Sequence, residues 1–346
     1  MTKLLVVWLL VMGLSLPVSA QEYMAPSVPD CAEEWMPETA SDFGKGILEL
    51  FQKVCMRIRP DLTEAAKVSV GVIAAAAITG ILRTFAGSAK TLTTMTGVTV
   101  VSLLLISSAN SMIRLGSSTI QELSSYEKLL LPVMTAAMAA QGRATTSTAL
   151  YIGTAVFDAL LGSLISWLLT PMVYLFLALG IAVCALGDES LKKMQDMVKG
   201  AIGWILKTIL MIFTTYMGIT GVVSGTTDAV ALKATKLTIS TVVPIVGGIL
   251  SDASEAVLVS VGAMKNAAGV YGLLAAGAIF LEPFLRIASH YIVLKATGAV
   301  CSILEPKGMD GLVDTFSGAM GLILAMTGAS CLLLLVSTVC FLQGVN

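Results

Sequence analysis

Glu282, Arg286 and His290 recur at intervals of four residues, a spacing that places three titratable side chains on one helical face. An acid, a guanidinium and an imidazole so arranged could relay protons or simply pair. Asp158 is a sharper case, because it stands alone in the apolar segment 149–169. A carboxylate at membrane depth is costly and marks a functional hypothesis by default. A third set lies in "PIVGGILSDASEAV", residues 244–257. There Pro244, Gly247, Gly248, Asp252 and Glu255 are closely spaced, and Lys265 and Asn266 follow.

Each set also has a plain structural reading. Pro283, beside Glu282, predicts a turn over 282–290 between two apolar segments. A Glu282–Arg286 pair there would be solvated and worth only about a few tenths of a kcal/mol. Asp158 either faces the bundle interior with a hydrogen-bond partner, or sits in a segment displaced toward the interface. Pro244 removes an amide donor, while Gly247-Gly248 permit positive φ and close backbone approach. Ser251 or Asp252 can cap a new helix, with Glu255 three residues beyond Asp252 as in a capping box. The stretch is therefore expected to be helix, break near 244–252, and capped helix. Irregular backbone at membrane depth is tolerated only where protein or a water-filled cavity covers it. Either the break is architecture, or Pro244, Gly247, Gly248, Asp252, Glu255, Lys265 and Asn266 line a path, as in transporters.

The elements that must position these residues follow from composition. Of 346 residues, 56% are hydrophobic and 12% charged, against roughly 25% charged in soluble domains. Mean hydropathy is +0.89. Such a chain cannot cover a water-facing surface with polar groups, and the fold class is an all-α, polytopic helical membrane protein. Apolar segments run at about 68–85, 94–113, 149–169, 171–187, 201–223, 267–284, 287–304 and 316–342. Each approaches or exceeds the ~20 residues that a bilayer core requires. About eight spans are expected, give or take one or two, since 129–141 with Pro132 is short for a crossing. Gly221 to Gly225 forms a GxxxG, more often ordinary packing than a dimer seam. The tetrapeptide Leu-Lys-Ala-Thr occurs at 232–235 and 294–297 without establishing a repeat.

Three regions result. Residues 1–20 read as a cleavable signal peptide: Lys3, an apolar core from Leu4 to Leu16, and the small residues Val18-Ser19-Ala20. Residues 21–66 form an acidic segment, with nine acids (among them Glu33, Glu34, Asp61 and Glu64) against the four bases Lys45, Lys53, Arg57 and Arg59. After a signal peptide such a segment belongs outside the cytoplasm, since inner loops collect Lys and Arg. Within it Ile47, Leu48, Phe51, Val54, Cys55 and Ile58 follow helical spacing, for a helix on the outer membrane face, on a partner, or on the protein's own bundle. Residues 67–346 are the transmembrane domain. Arg83 and Lys90 mark one inner turn; Lys192, Lys193 and Lys199 mark another, diluted by Asp188, Glu189 and Asp196. Placing both inside requires 129–141 to cross or nearly cross.

Composition also excludes. The net charge of −1 leaves no basic footprint for nucleic acid. One histidine and six scattered cysteines contain no CxxC or HExxH spacing, and neither a metal nor another cofactor is implied. Cys31 and Cys55 could form a disulfide or remain free thiols; Cys184, Cys301, Cys331 and Cys340 read as small hydrophobes. No phosphate-cradling GxxxxGK[ST], GxGxxG or GxSxG pattern occurs. A relay through His290 would need a serine brought to it. An enzyme is not expected.

Two stretches carry a resemblance. "LKATKLTISTVVPIVGGILSDASEAVLVSVGAMKNAAGVYGLL", 232–274, resembles the stage III sporulation protein AE family of endospore-forming bacteria. "LKATGAVCSILEPKGMDGLVDTFSGAM", 294–320, is more loosely similar to the family's C-terminal part. The resemblance implies a multi-pass protein of the mother-cell membrane around the engulfed forespore. It implies partnership with other stage III operon proteins and a forespore-side membrane protein in a secretion-like channel complex. It carries no catalytic residues. The rival reading is an autonomous secondary transporter with a midplane site at the broken helix.

Overall fold

The computed structural model describes residues 29–36, 43–140, 144–221, 267–304 and 309–344. The expected signal peptide, the GxxxG beyond Gly221, the Cys31 side chain and the whole of 244–266 lie outside the described residues. Within them the chain is helical and contains no strand. The order is α1 (Asp30–Glu33), α2 (Phe43–Arg57), α3 (Arg59–Phe85), α4 (Lys90–Ala140), α5 (Ala144–Leu164), α6 (Thr170–Leu186), α7 (Glu189–Gly221), α8 (Ala267–Leu304) and α9 (Met309–Gly344).

Local chemistry explains the boundaries. Pro60 occupies the first turn of α3, where no amide donor is needed, and Asp61 complements the helix dipole. A short 3-10 turn, Gly87–Ala89, joins α3 to α4, and Gly87 has φ of 51°. Gly187 ends α6 with φ of 70°, donating its N–H to the Val183 carbonyl at 2.8 Å. One residue on, the Asp188 carboxylate accepts the Ser190 N–H at 2.7 Å and starts α7.

Among the described residues six helices are long and apolar enough to cross a membrane: Pro60–Phe85, Gly87–Ala136, Ser147–Leu186, Glu189–Ile219, Gly269–Ile303 and Gly311–Leu342. The eight apolar segments fit into these six because two pairs are continuous. Segments 149–169 and 171–187 join through a π-helical stretch, Ile165–Leu169, just before Pro171. The widened turn absorbs the proline's missing donor and its ring. Segments 267–284 and 287–304 form the single helix α8, which runs through Pro283. The turn expected at 282–290 is absent. An interior proline costs about 3 kcal/mol, whereas opening a turn inside the bundle strands several backbone groups at several kcal/mol each. Likewise 129–140 belongs to α4, which continues through Pro132 to Ala140.

Helix α9 is the axis. It packs against α4, α5, α6, α7 and α8, and 94% of its most apolar window is buried. The two basic turns meet at one end of this bundle, where Arg83, Lys90, Lys192 and Lys199 line a common cavity. The α2 helix packs on the protein's own bundle rather than projecting: Leu50 and Val54 are buried. It lies against α8 at Gly277, where a Cβ would be in ordinary contact with Ile47 and Leu50. Arg57 stacks over Trp35 at 5.2 Å and pairs with Glu34, fastening the acidic segment to itself.

Candidate functional site

The seven residues singled out around the expected break (Pro244, Gly247, Gly248, Asp252, Glu255, Lys265 and Asn266) lie outside the described residues. The described chemistry is concentrated on α4, α5, α8 and α9.

The most enclosed carboxylate among the described residues is one that sequence reasoning passed over. Glu127 of α4 is 2% exposed, and Asp158 of α5 is 9% exposed. Ser337 of α9 donates to Glu127 Oε1 at 3.0 Å, and Ser124, one turn before Glu127, donates to Asp158 Oδ2 at 2.8 Å. The two carboxyl groups are close enough to interact directly. Of the alternatives for Asp158, the fold selects the bundle interior with a hydrogen-bond partner. Glu127 escaped notice because it lies beside Lys128 and soon after Glu122, a pattern that reads as a solvated helix face. Its one available signal was Ser124, three residues earlier on the same face. Paired carboxyls in an apolar interior are of the type that moves protons or holds cations. Among the described residues, no group of three or more potential metal ligands comes together.

The triad of α8 does share a face, but its members turn to different neighbours. Arg286 Nε lies 3.2 Å from Asp61 Oδ1, joining α8 to the start of α3. Glu282 and Arg286 line a cavity of about 380 Å³ with Trp35, Arg57, Pro60 and Asp61. His290 is buried, and its Nδ1 lies 3.3 Å from Ser108 Oγ of α4. Sequence reasoning found no serine for this imidazole; the α4–α8 packing supplies one. The contact is long for a hydrogen bond. Further along α8, Lys295 pairs with Asp314 of α9.

A third polar link ties α7 to the axis. The buried Gln195 donates to Thr315 Oγ1 at 3.1 Å, and Gly180 of α6 leaves the space for both. The polar side chains described here are thus bound to one another across helix pairs, which in lipid serves as interhelical glue.

Against known proteins, the family model for stage III sporulation protein AE matches residues 33–344. The chain belongs to this family. The curated stage III sporulation protein AE of Bacillus subtilis (strain 168) is 22% identical over 206 residues, 60% of this chain and 51% of that protein. The chain thus matches about half the length of this curated relative. No solved structure matches. Membership in the stage III sporulation protein AE family places the chain among sporulation proteins, and the six apolar helices among the described residues are in keeping with a multi-pass membrane protein.

Proposed function

We propose that this protein is a non-enzymatic integral membrane subunit of the secretion-like channel complex between mother cell and forespore. It sits in the mother-cell membrane surrounding the forespore, with the acidic segment 21–66 outside the cytoplasm. Its partners are other stage III operon proteins and a forespore-side membrane protein. The observation that carries this reading is the family match over residues 33–344. Two features support it. The buried polar groups described above are engaged with each other across helices, as structural glue requires. Apolar side chains such as Val156, Leu160 and Trp167 face outward, as expected of a chain seated in lipid and against other membrane proteins.

The test is affinity purification from sporulating cells, with co-purifying proteins identified by mass. A subunit brings down the other stage III proteins and is inert when reconstituted alone. A second reading, an autonomous secondary transporter, draws on the enclosed Glu127–Asp158 pair and on the break expected at 244–252. Solute movement by the lone chain in vesicles would establish it and overturn the first.

A further inference from the structure

The cavity at the basic end of the bundle measures about 620 Å³, within the size range of small-molecule sites. Its lining brings together Lys90 at the start of α4 with Lys192 and Lys199 of α7, and Arg83 at the end of α3. Two acids share the lining, Asp196 and Asp314. Asp314 is already engaged by Lys295, which lies outside the cavity. Counting the lysines alone, three positive charges face one lining carboxylate that Lys295 does not engage, Asp196. Beside the bases stand exposed apolar side chains: Phe85 is 84% exposed, Leu92 68% and Leu186 62%. Phe85 and Leu92 flank the α3–α4 turn, and Leu186 is itself part of the lining. Cationic residues crowd such a turn on the cytoplasmic side of a membrane.

We infer that this cavity binds the phosphodiester headgroup of an anionic phospholipid of the cytoplasmic leaflet, with the acyl chains lying against Phe85, Leu92 and Leu186. A phosphodiester is the chemistry that three lysines from two different helices can share, each as a point charge. The apolar rim decides between sources of that phosphate. A free phosphate ion would use the lysines and leave the rim bare, whereas a lipid uses both. Basic pockets between transmembrane helices on this side of a membrane bind anionic headgroups by the same physics. Lipid bound here would bridge the α3–α4 and α6–α7 hairpins at the mouth of the axis helix. The inference is independent of the channel-complex role.

The experiment uses the full chain in nanodiscs of equal phosphatidylglycerol and phosphatidylcholine, followed by native mass spectrometry of retained lipid. Phosphatidylglycerol should be retained over phosphatidylcholine by about tenfold or more, since each lysine near the headgroup adds substantially to affinity. The triple variant Lys90→Gln, Lys192→Gln, Lys199→Gln should bring that ratio to the bulk value while keeping the helical circular dichroism of the wild type. Equal retention of the two lipids by the wild type would overturn the proposal, as would undiminished preference in the triple variant. Loss of retained phosphatidylglycerol on adding excess inorganic phosphate would assign the cavity to a phosphate ion and overturn the lipid. A Phe85→Ser, Leu186→Ser variant separates the sources from the other side. It should weaken phosphatidylglycerol retention, and unchanged retention would remove the acyl-chain contact.

Discussion

Helices α9 and α5–α6 have nearly the same hydropathy and opposite fates. The most apolar windows average 2.3 in α9 and 2.2 across α5–α6, yet 94% of the first is buried in the bundle and 28% of the second. In water such oily segments would compete for the same core. In a bilayer the surroundings are as apolar as the interior, so hydropathy cannot sort axis from periphery. Small residues are about as frequent in α5–α6 as in α9, so what separates the two is which neighbours close around them. Helix α9 carries Gly318, Ala319, Gly321, Ala325, Gly328 and Ala329, which let neighbouring backbones approach, and Ser337 and Thr315, which bind the polar groups of α4 and α7. The outer helix turns Trp167, 82% exposed, away from the bundle.

The contrast can be broken most severely by enlarging a small residue on each helix. Ala329→Trp inserts a large ring where the wild-type residue is fully buried. It should cost about 3 kcal/mol or more and remove most of the protein from the membrane fraction. Ala159→Trp, at an exposed position on α5, should change thermal unfolding in detergent by no more than about 0.5 kcal/mol. Equal tolerance at the two positions would erase the distinction between axis and periphery.

The next effect lies within α5 itself. A Cβ at Gly153 would come within 2.1 Å of the Tyr216 ring, while one at Gly162 would meet nothing within 4 Å. Tyr216 is held by its hydroxyl donating to the Ala149 carbonyl at 2.9 Å, so it cannot simply swing aside. Gly153→Leu should therefore destabilise by about 1–3 kcal/mol, and Gly162→Leu should be close to neutral in the same unfolding assay.

These contrasts also mark what the sequence could and could not disclose. The helical membrane class was legible from composition, and so was a helix over 47–58, though not its inner face: Leu50, outside the spaced set, is buried, while Leu48 and Phe51, members of it, are exposed. The positions of the helix ends were less legible. The gap between segments 149–169 and 171–187 and the turn beside Pro283 were expected because in water a broken helix can hydrate its freed backbone groups. In an apolar bundle it cannot, and the helix continues, widening before Pro171 and running on through Pro283. Asp158 stood out because it was alone in its segment. Glu127 did not, because only the closure of α5 and α9 over it, far apart in sequence, turns a solvated-looking position into a buried one. The same non-local packing brought Ser108 to His290.

A smaller effect concerns the buried acid pair. Ser337→Ala removes the donor to Glu127 and should lower stability by about 1–2 kcal/mol. Glu127→Gln keeps hydrogen-bonding capacity and should leave spore yield within a few-fold of wild type if the pair is glue. Normal membrane level with abolished spore formation would make the pair functional and favour the transporter reading. The smallest effect is expected at the Arg286–Asp61 contact, whose side chains are 36% and 20% exposed. A double-mutant cycle with Arg286→Gln and Asp61→Asn should return a coupling below about 1 kcal/mol. A larger coupling would show that this contact is sealed from water more tightly than its exposure indicates.

The central claim is that α9 is sheathed by protein and α5–α6 faces lipid. It is tested most directly on the unaltered, purified chain, reconstituted in vesicles containing a phospholipid with a photoactivatable carbene precursor near the chain terminus. After irradiation and digestion, adducts should concentrate in residues 151–175, at side chains such as Trp167 and Tyr174, while residues 315–342 take up almost none. Comparable labelling of the two segments would contradict the account, because an axis helix enclosed by five others cannot present its side chains to lipid.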